Sequence, residues 1–369
     1  MTSQLSRRGF VLSAAAMASP YLLRADEEKL SDGSAAKDMV TPESQKAIDH
    51  ALDYLSRTQH DDGSWGERTQ FAGNVAVTSL AALAFMAGGH QPDRGKYGRN
   101  VLRALEYVLS REARDGEKTP GFLWHPSSNT FGAMYSHGFA ALFLGEAYGM
   151  IPKRELQKQT RDVLERAVAL IIKSQNSEGG WRYEPKPKQA DVSVTICQIM
   201  ALRSARNAGL TVSKNAVEQC VKYVKACQND DGGFNYFRNQ RNSSAFARSA
   251  AGVVALYCAG IYEGREISDG LRYLMQFKPG LNSAGPAFGR GMDNLHYFYG
   301  HYYAAQAMWT AGGKYWSEWF PAIREDLLAR SRHNQAGVWT EQTTCTDYAT
   351  AMAAIILQIP NNYLPIMQK

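Results

Sequence analysis

The sequence predicts an all-α protein folded as an α6/α6 toroid, with six outer helices around six inner ones. Three observations predict it. A short motif recurs along the chain, an amphipathic stretch precedes each copy, and a more uniformly apolar, small-residue stretch follows it. Helices that face water on one side belong outside, and those apolar all round belong inside.

The motif has four clear copies: Gln59-His-Asp-Asp-Gly63-Ser-Trp65, Gln175-Asn-Ser-Glu-Gly179-Gly-Trp181, Gln228-Asn-Asp-Asp-Gly232-Gly-Phe234 and His333-Asn-Gln-Ala-Gly337-Val-Trp339. In each, Gly follows Gln or His by four residues and an aromatic follows Gly by two. The copies start 116, 53 and 105 residues apart, which fits one unit of about 53–58 residues with two degenerate copies between them. Those are Gly121-Phe-Leu-Trp124 and Gln276-Phe-Lys-Pro-Gly280.

The amphipathic stretches are residues 47–58, 101–111, 156–174, 216–227, 267–277 and 323–332, taken as outer helices. The apolar stretches are 75–87, 136–148, 192–205, 246–259, 299–310 and 348–357, taken as inner helices. Twelve helices around one centre make residues 44–369 a single domain, although the length alone would suit two. Between the helices of each pair the chain must stop and reverse. Gly takes the left-handed position there, Gln reaches helix-end backbone groups, and the aromatic packs over the adjoining helix end. The motif is therefore read as a structural clasp.

The first 25 residues read differently. Ser6-Arg7-Arg8-Gly9-Phe10 followed by a short apolar run resembles a twin-arginine (Tat) export signal, and residues 26–43 read as a charged tether. The expected location is periplasmic or secreted. Removing residues 1–25 takes away Arg7, Arg8 and Arg24 and no acid, so the formal charge falls from +6 to +3. That scattered, nearly neutral balance gives no reason to expect nucleic acid. Mean hydropathy is −0.37, and no uninterrupted apolar run of about 20 residues suggests a membrane span. The five cysteines have no metal-finger spacing and sit in apolar patterns, so free thiols are expected, with no metal or cofactor.

The clasp after an amphipathic helix is similar to the QW-type repeat of the prenyltransferase and squalene-cyclase superfamily, over about residues 44–358. The resemblance implies the toroid and a lipid-like or isoprenoid ligand in a central cavity. The chemistries of characterised branches lack their motifs here. There is no Asp-x-Asp-Asp acid cluster on an inner helix, no Asp-x-Cys for zinc and no Gly-Cys-Gly-Glu-Gln thioester run. Aromatic residues that could stabilise a carbocation are plentiful, so terpene-cyclase-like activity stays open while its proton donor is missing.

Polar residues near the inner-helix starts are expected to converge at one mouth of the barrel. His137, Asp191, Arg248, His301 and Asp347 are the candidate catalytic set. Asn74, Tyr135, Phe246, Tyr299, Tyr302 and Tyr348 are expected to line the cavity. Asn74, Asp191 and Asp347 equally suit helix N-caps. Buried among apolar residues, Arg248 needs Asp191 or an anionic ligand beside it. Two other functions fit an α6/α6 barrel. One is a carbohydrate-active lyase or glycosidase using His137, Tyr299 and His301 as acid/base groups with Arg248 on a uronate. The other is a non-catalytic scaffold with a filled centre, which would dock a partner protein.

Overall fold

The structure, a computed structural model, describes residues 36, 38–67, 69–113, 119–130, 132–240, 244–280, 296–332 and 337–368. The expected signal at residues 1–25 and His333 of the fourth clasp lie outside the described residues.

Among the described residues, twelve α-helices alternate between outer and inner positions. The outer ones are α1 (Pro42–Thr58), α3 (Gly98–Ser110), α5 (Arg154–Ser174), α7 (Lys214–Ala226), α9 (Arg265–Met275) and α11 (Gly313–Arg332). The inner ones are α2 (Val75–Ala87), α4 (Ala133–Tyr148), α6 (Val192–Asn207), α8 (Phe246–Cys258), α10 (Tyr297–Ala311) and α12 (Thr346–Gln358). Each inner helix packs on the next, and α12 packs back on α2, which closes the ring. No strands form among the described residues, only isolated bridges within the clasps and loops.

Two helix starts differ from the sequence reading by five residues or more. Helix α1 begins at Pro42, inside the expected tether, because Thr41 and Ser44 form a reciprocal capping box ahead of it. Helix α11 begins at Gly313 rather than 323 and runs through Pro321. Proline interrupts the pattern that a reader follows, yet Trp316, Trp319, Phe320 and Ile323 are buried at helical spacing across it.

The clasps account for the ring. Gln59, Gln175 and Gln228 each donate two hydrogen bonds from Nε2. One goes to the glycine carbonyl of the same clasp (Gly63, Gly179, Gly232), at 2.8–2.9 Å. The other goes to a carbonyl in the first turn of the next outer helix (Asn100, Ala216, Glu266), at 2.8–3.0 Å. So the glutamine staples each hairpin to its successor. The glycine sits at φ +94° in Gly179, where a Cβ would stand 2.3 Å from the Gln219 carbonyl oxygen of that next helix. No other residue fits so close an approach.

The aromatic completes the clasp from the inside. The indole N–H of Trp65, Trp181 and Trp339 donates to the carbonyl of Leu55, Ile171 and Leu327 on the preceding outer helix, at 2.7–2.9 Å. The same residues' backbone N–H donates to the hydroxyl of Thr78, Thr195 and Thr350 on the following inner helix, and Phe234 N–H does the same to Ser249. All three indoles are fully buried, which at the usual area coefficient corresponds to about 4–6 kcal/mol of transfer free energy each.

At the far end, residues 359–368 fold against the C-terminal ends of the inner helices. Met367 O accepts the Trp309 indole N–H, and the Ile366 N–H donates to buried Glu146. Cys197, Cys220, Cys227 and Cys345 are buried and Cys258 is half-buried, all as free thiols.

Replacing Gln175 by Ala should strand the buried carbonyls of Gly179 and Ala216 and cost about 1–3 kcal/mol. Gly179→Ala should cost more, because strain at positive φ adds to the collision with Gln219. Urea midpoints of the two variants against the parent protein check both the magnitude and the order.

Candidate functional site

A cavity of about 550 Å³ opens where the six inner helices begin. Its wall follows the repeat. The third residue of five inner helices faces it: Val77 of α2, Tyr135 of α4, Arg248 of α8, Tyr299 of α10 and Tyr348 of α12. Helix α6 contributes its second residue, Ser193. A second layer comes from the segments entering these helices. Tyr183, Tyr236 and Glu341 occupy the same place in three copies, two residues after the clasp aromatic. Phe71 and Phe139 add apolar surface, and Ser128, Ser136, Thr343 and Thr344 add hydroxyls.

The tyrosines are held by one another and by the fold. Tyr135 meets Tyr299 edge to face at 6.5 Å and lies 6.2 Å from Tyr183. The Tyr299 hydroxyl donates to Ser193 O at 2.8 Å. Tyr183 and Tyr236 hydrogen-bond through their hydroxyls. Burial raises the hydroxyls of Tyr135, Tyr299 and Tyr348 well above the usual phenol range, so they stay protonated.

Of the residues expected to line the cavity, Asn74, Tyr135, Tyr299 and Tyr348 do so. Phe246 and Tyr302 lie outside it. Phe246 points outward and stacks on Phe277 and Trp319. Tyr302 sits one helical turn deeper than Tyr299, edge-on to Phe139.

The candidate catalytic set divides. Arg248 lines the cavity and donates from Nε to the Phe234 carbonyl at 3.0 Å, a clasp contact that offsets part of its burial. Asp191 caps α6, accepting from Val194 N–H at 2.8 Å. Its other oxygen accepts from the Tyr236 hydroxyl at 3.5 Å and lies 3.8 Å from Arg182 Nε. Burial raises this carboxyl to about 6, and it touches the cavity only through Tyr236. Asp347 is the second residue inside α12 rather than its cap. It accepts from Thr58 Oγ1 and from Gly66 N–H, each at 3.0 Å, and so joins the last inner helix to the first clasp.

His137 and His301 do not face the cavity. Each lies two residues beyond a cavity-facing tyrosine, about 200° around the helix. His137 Nδ1 accepts from the Leu123 N–H (3.1 Å) and its Nε2 lies 3.2 Å from the Ala167 carbonyl oxygen, to which it donates. It therefore does in the degenerate second copy what Thr78 and Thr195 do in intact ones. With both nitrogens engaged it is one neutral tautomer, and burial lowers it to about 4. His301 packs against Phe246, Tyr297 and Trp319, and burial lowers it to about 3.

The group that the sequence reading missed is Glu341. It is 9% exposed, lines the cavity, and accepts from the Thr344 hydroxyl on Oε2 at 2.9 Å. Its Oε1 is buried with no partner among the described residues. Burial raises this carboxyl to about 7, against the opposing pull of Thr344 and a backbone bond with Phe298. Aligning it with Tyr183 and Tyr236, two residues past the aromatic, was the available signal. A single protonatable carboxyl among aromatic faces can donate a proton or hold a polar headgroup. No group of three or more His, Cys, Asp or Glu able to hold a metal ion occurs among the described residues, and no described helix is long and apolar enough to cross a membrane.

Comparison with known proteins follows the same lines. Residues 127–278 match the family model of the prenyltransferase alpha-alpha toroid domain. Over 190 residues, 51% of this chain, the sequence is 24% identical to drimenyl diphosphate synthase of Streptomyces showdoensis, of which the match spans 32%. Among solved structures, the type II terpene cyclase MstE from Scytonema aligns with a TM-score of 0.57 at 14% identity, covering 88% of this chain and all of that one. An inactive variant of the GH76A α-1,6-mannanase of Salegentibacter sp. HEL1_6, in complex with α-1,6-mannotriose, aligns at 0.59 and 11% identity over 85% of this chain and 98% of its own. These structural likenesses establish a shared α/α-toroid fold. The chain spans about a third of the length of that synthase.

His137→Leu should destabilise the protein without altering the cavity. Its imidazole is charged in the unfolded chain below about 6.5 and neutral in the folded one down to about 4. It therefore contributes about 3 kcal/mol that is present above pH 6.5 and is lost as pH falls to 4. The variant should unfold more easily at pH 7, and its stability should change less between pH 6.5 and 4, as measured by urea titration across that range.

Proposed function

From the match of residues 127–278 to the prenyltransferase alpha-alpha toroid domain, we propose that the protein is an exported toroid that holds an isoprenoid-type amphiphile in its mouth cavity. The observation that carries this reading is the cavity itself. It has about 550 Å³ of space, walls dominated by tyrosine and phenylalanine, and one buried carboxyl, Glu341. That volume lies in the range of small-molecule sites, and the wall chemistry suits a long apolar body with a small polar end.

Terpene-cyclase-like turnover is the catalytic form of the same proposal. Glu341, raised by burial, would be the acid that the missing Asp-x-Asp-Asp cluster leaves unfilled, and the protonated tyrosines would face the resulting cation. Export rests on the twin-arginine pattern of Ser6-Arg7-Arg8-Gly9-Phe10, which would put the ligand in the cell envelope or beyond.

A carbohydrate-active reading draws support from the mannanase likeness and from the hydroxyl-bearing part of the wall. Against it, glycoside hydrolysis ordinarily needs two facing carboxyls, and Glu341 is the one carboxylate among the described lining residues. The histidines of that reading face away from the cavity. A scaffold with a filled centre leaves 550 Å³ of aromatic-walled space without a role.

Native mass spectrometry of the protein from its own cell envelope should find an apolar lipid retained. Ala76→Trp, which fills the cavity from the first turn of α2, should lower that retention at least tenfold while the urea midpoint stays within about 1 kcal/mol of the parent. Retention of an oligosaccharide and no lipid would transfer the proposal to the carbohydrate reading.

A further inference from the structure

Glu341 presents an incomplete hydrogen-bond arrangement in the cavity wall. Glu341 lines the cavity; its Oε2 is engaged by Thr344, whereas its Oε1 is buried and has no partner among the described residues. Leaving a buried acceptor unmade costs about 1–3 kcal/mol, and folded proteins tolerate that mainly where something else supplies the donor. The Phe298 N–H and the Tyr348 hydroxyl lie near this carboxyl, yet neither makes a hydrogen bond to Oε1. Tyr299, which shares the cavity wall, already donates its hydroxyl to Ser193 O. Arg248 lines the cavity from α8 and donates its Nε–H to the Phe234 carbonyl. His296 also lines the cavity, where burial lowers its basicity, and it makes no hydrogen bond to Oε1.

We infer that Glu341 is the headgroup anchor of this cavity, and that its carboxyl receives the hydroxyl of an isoprenoid alcohol whose chain lies along the tyrosine wall. The inference rests on the isoprenoid reading and adds the polar end of the ligand. A hydroxyl is the head that suits this carboxyl in either of its protonation states. It donates to the ionised form and both donates to and accepts from the protonated form. An ammonium pairs only with the ionised form. A phosphate or carboxylate head is repelled by it. A hydrocarbon end gives the carboxyl no partner.

Titrating the full-length protein with farnesol, farnesene, farnesylamine and farnesyl diphosphate at pH 7, with tyrosine fluorescence as the readout, tests this directly. Farnesol is expected to bind about tenfold tighter than each of the other three, the equivalent of one hydrogen bond to a charged or acidic group. Glu341→Ala should bring farnesol down to the farnesene level and leave farnesene unchanged. Glu341→Gln, which keeps an acceptor oxygen, should retain most of the preference. Equal binding of farnesol and farnesene by the parent protein overturns the anchor while leaving isoprenoid binding in place, and so does a preference that survives Glu341→Ala. Tighter binding of the amine or the diphosphate overturns the hydroxyl assignment. If none of the four binds, the isoprenoid reading falls and the anchor with it.

Discussion

The fold depends on the contact that each clasp makes with the outer helix of the next repeat. A helical hairpin alone cannot bury both faces of its inner helix. Gln59, Gln175 and Gln228 solve this locally by tying their own glycine carbonyl and a first-turn carbonyl of the following helix to one amide group. The glycine at positive φ lets the two backbones approach to a distance that a Cβ would block. Repetition of that contact turns hairpins into a ring. At the seam the glutamine is absent from the pattern, and other groups close it. His50 Nδ1 lies 3.1 Å from Gly337 O, and Asp347 spans from α12 to Thr58 and Gly66.

The same clasp sets how each inner helix is turned about its axis. The backbone N–H two residues past the clasp glycine, aromatic in all but Leu123, is answered by the fourth or fifth residue of the inner helix, whether Thr78, His137, Thr195, Ser249 or Thr350. With that residue directed outward, the third residue of most inner helices faces the centre, since successive helical positions are about 100° apart. Tyr135, Arg248, Tyr299 and Tyr348 thus line the cavity as a consequence of the clasp, and so does the exclusion of His137.

This explains which parts of the molecule were legible in the sequence. The outer helices declare their buried face by alternating polar and apolar residues, and the clasps declare their spacing. Eleven of the twelve helices consequently start within about five residues of their expected positions, and α11 departs only because Pro321 lies within it. The inner helices carry almost no such asymmetry. Helix α4 is buried nearly all round, so nothing in its composition shows that Tyr135 faces the centre and His137 does not. Histidine suggested chemistry there, while its position in the repeat pointed to a threonine substitute. Glu341 was hidden for the converse reason. It lies in a loop beside a clasp, where acids are ordinary, and only its register with Tyr183 and Tyr236 marks it as part of the wall.

The electrostatics of the mouth follow from where the helix starts fall. Six inner helices direct their N-terminal ends at one cavity, an arrangement that in isolation would favour an anion. Part of that potential is answered within the fold. The Asn74 side chain accepts from Ala76 and Val77 N–H, and Asp191 accepts from Val194 N–H. Glu341 itself has a backbone bond at Phe298, in the first turn of α10. Even so, burial outweighs the helix ends at this carboxyl and raises it to about 7 rather than lowering it. The site has side-chain caps on two of its six inner-helix ends, and its one lining carboxyl among the described residues is close to neutral. It is better matched to an apolar body with an uncharged polar end.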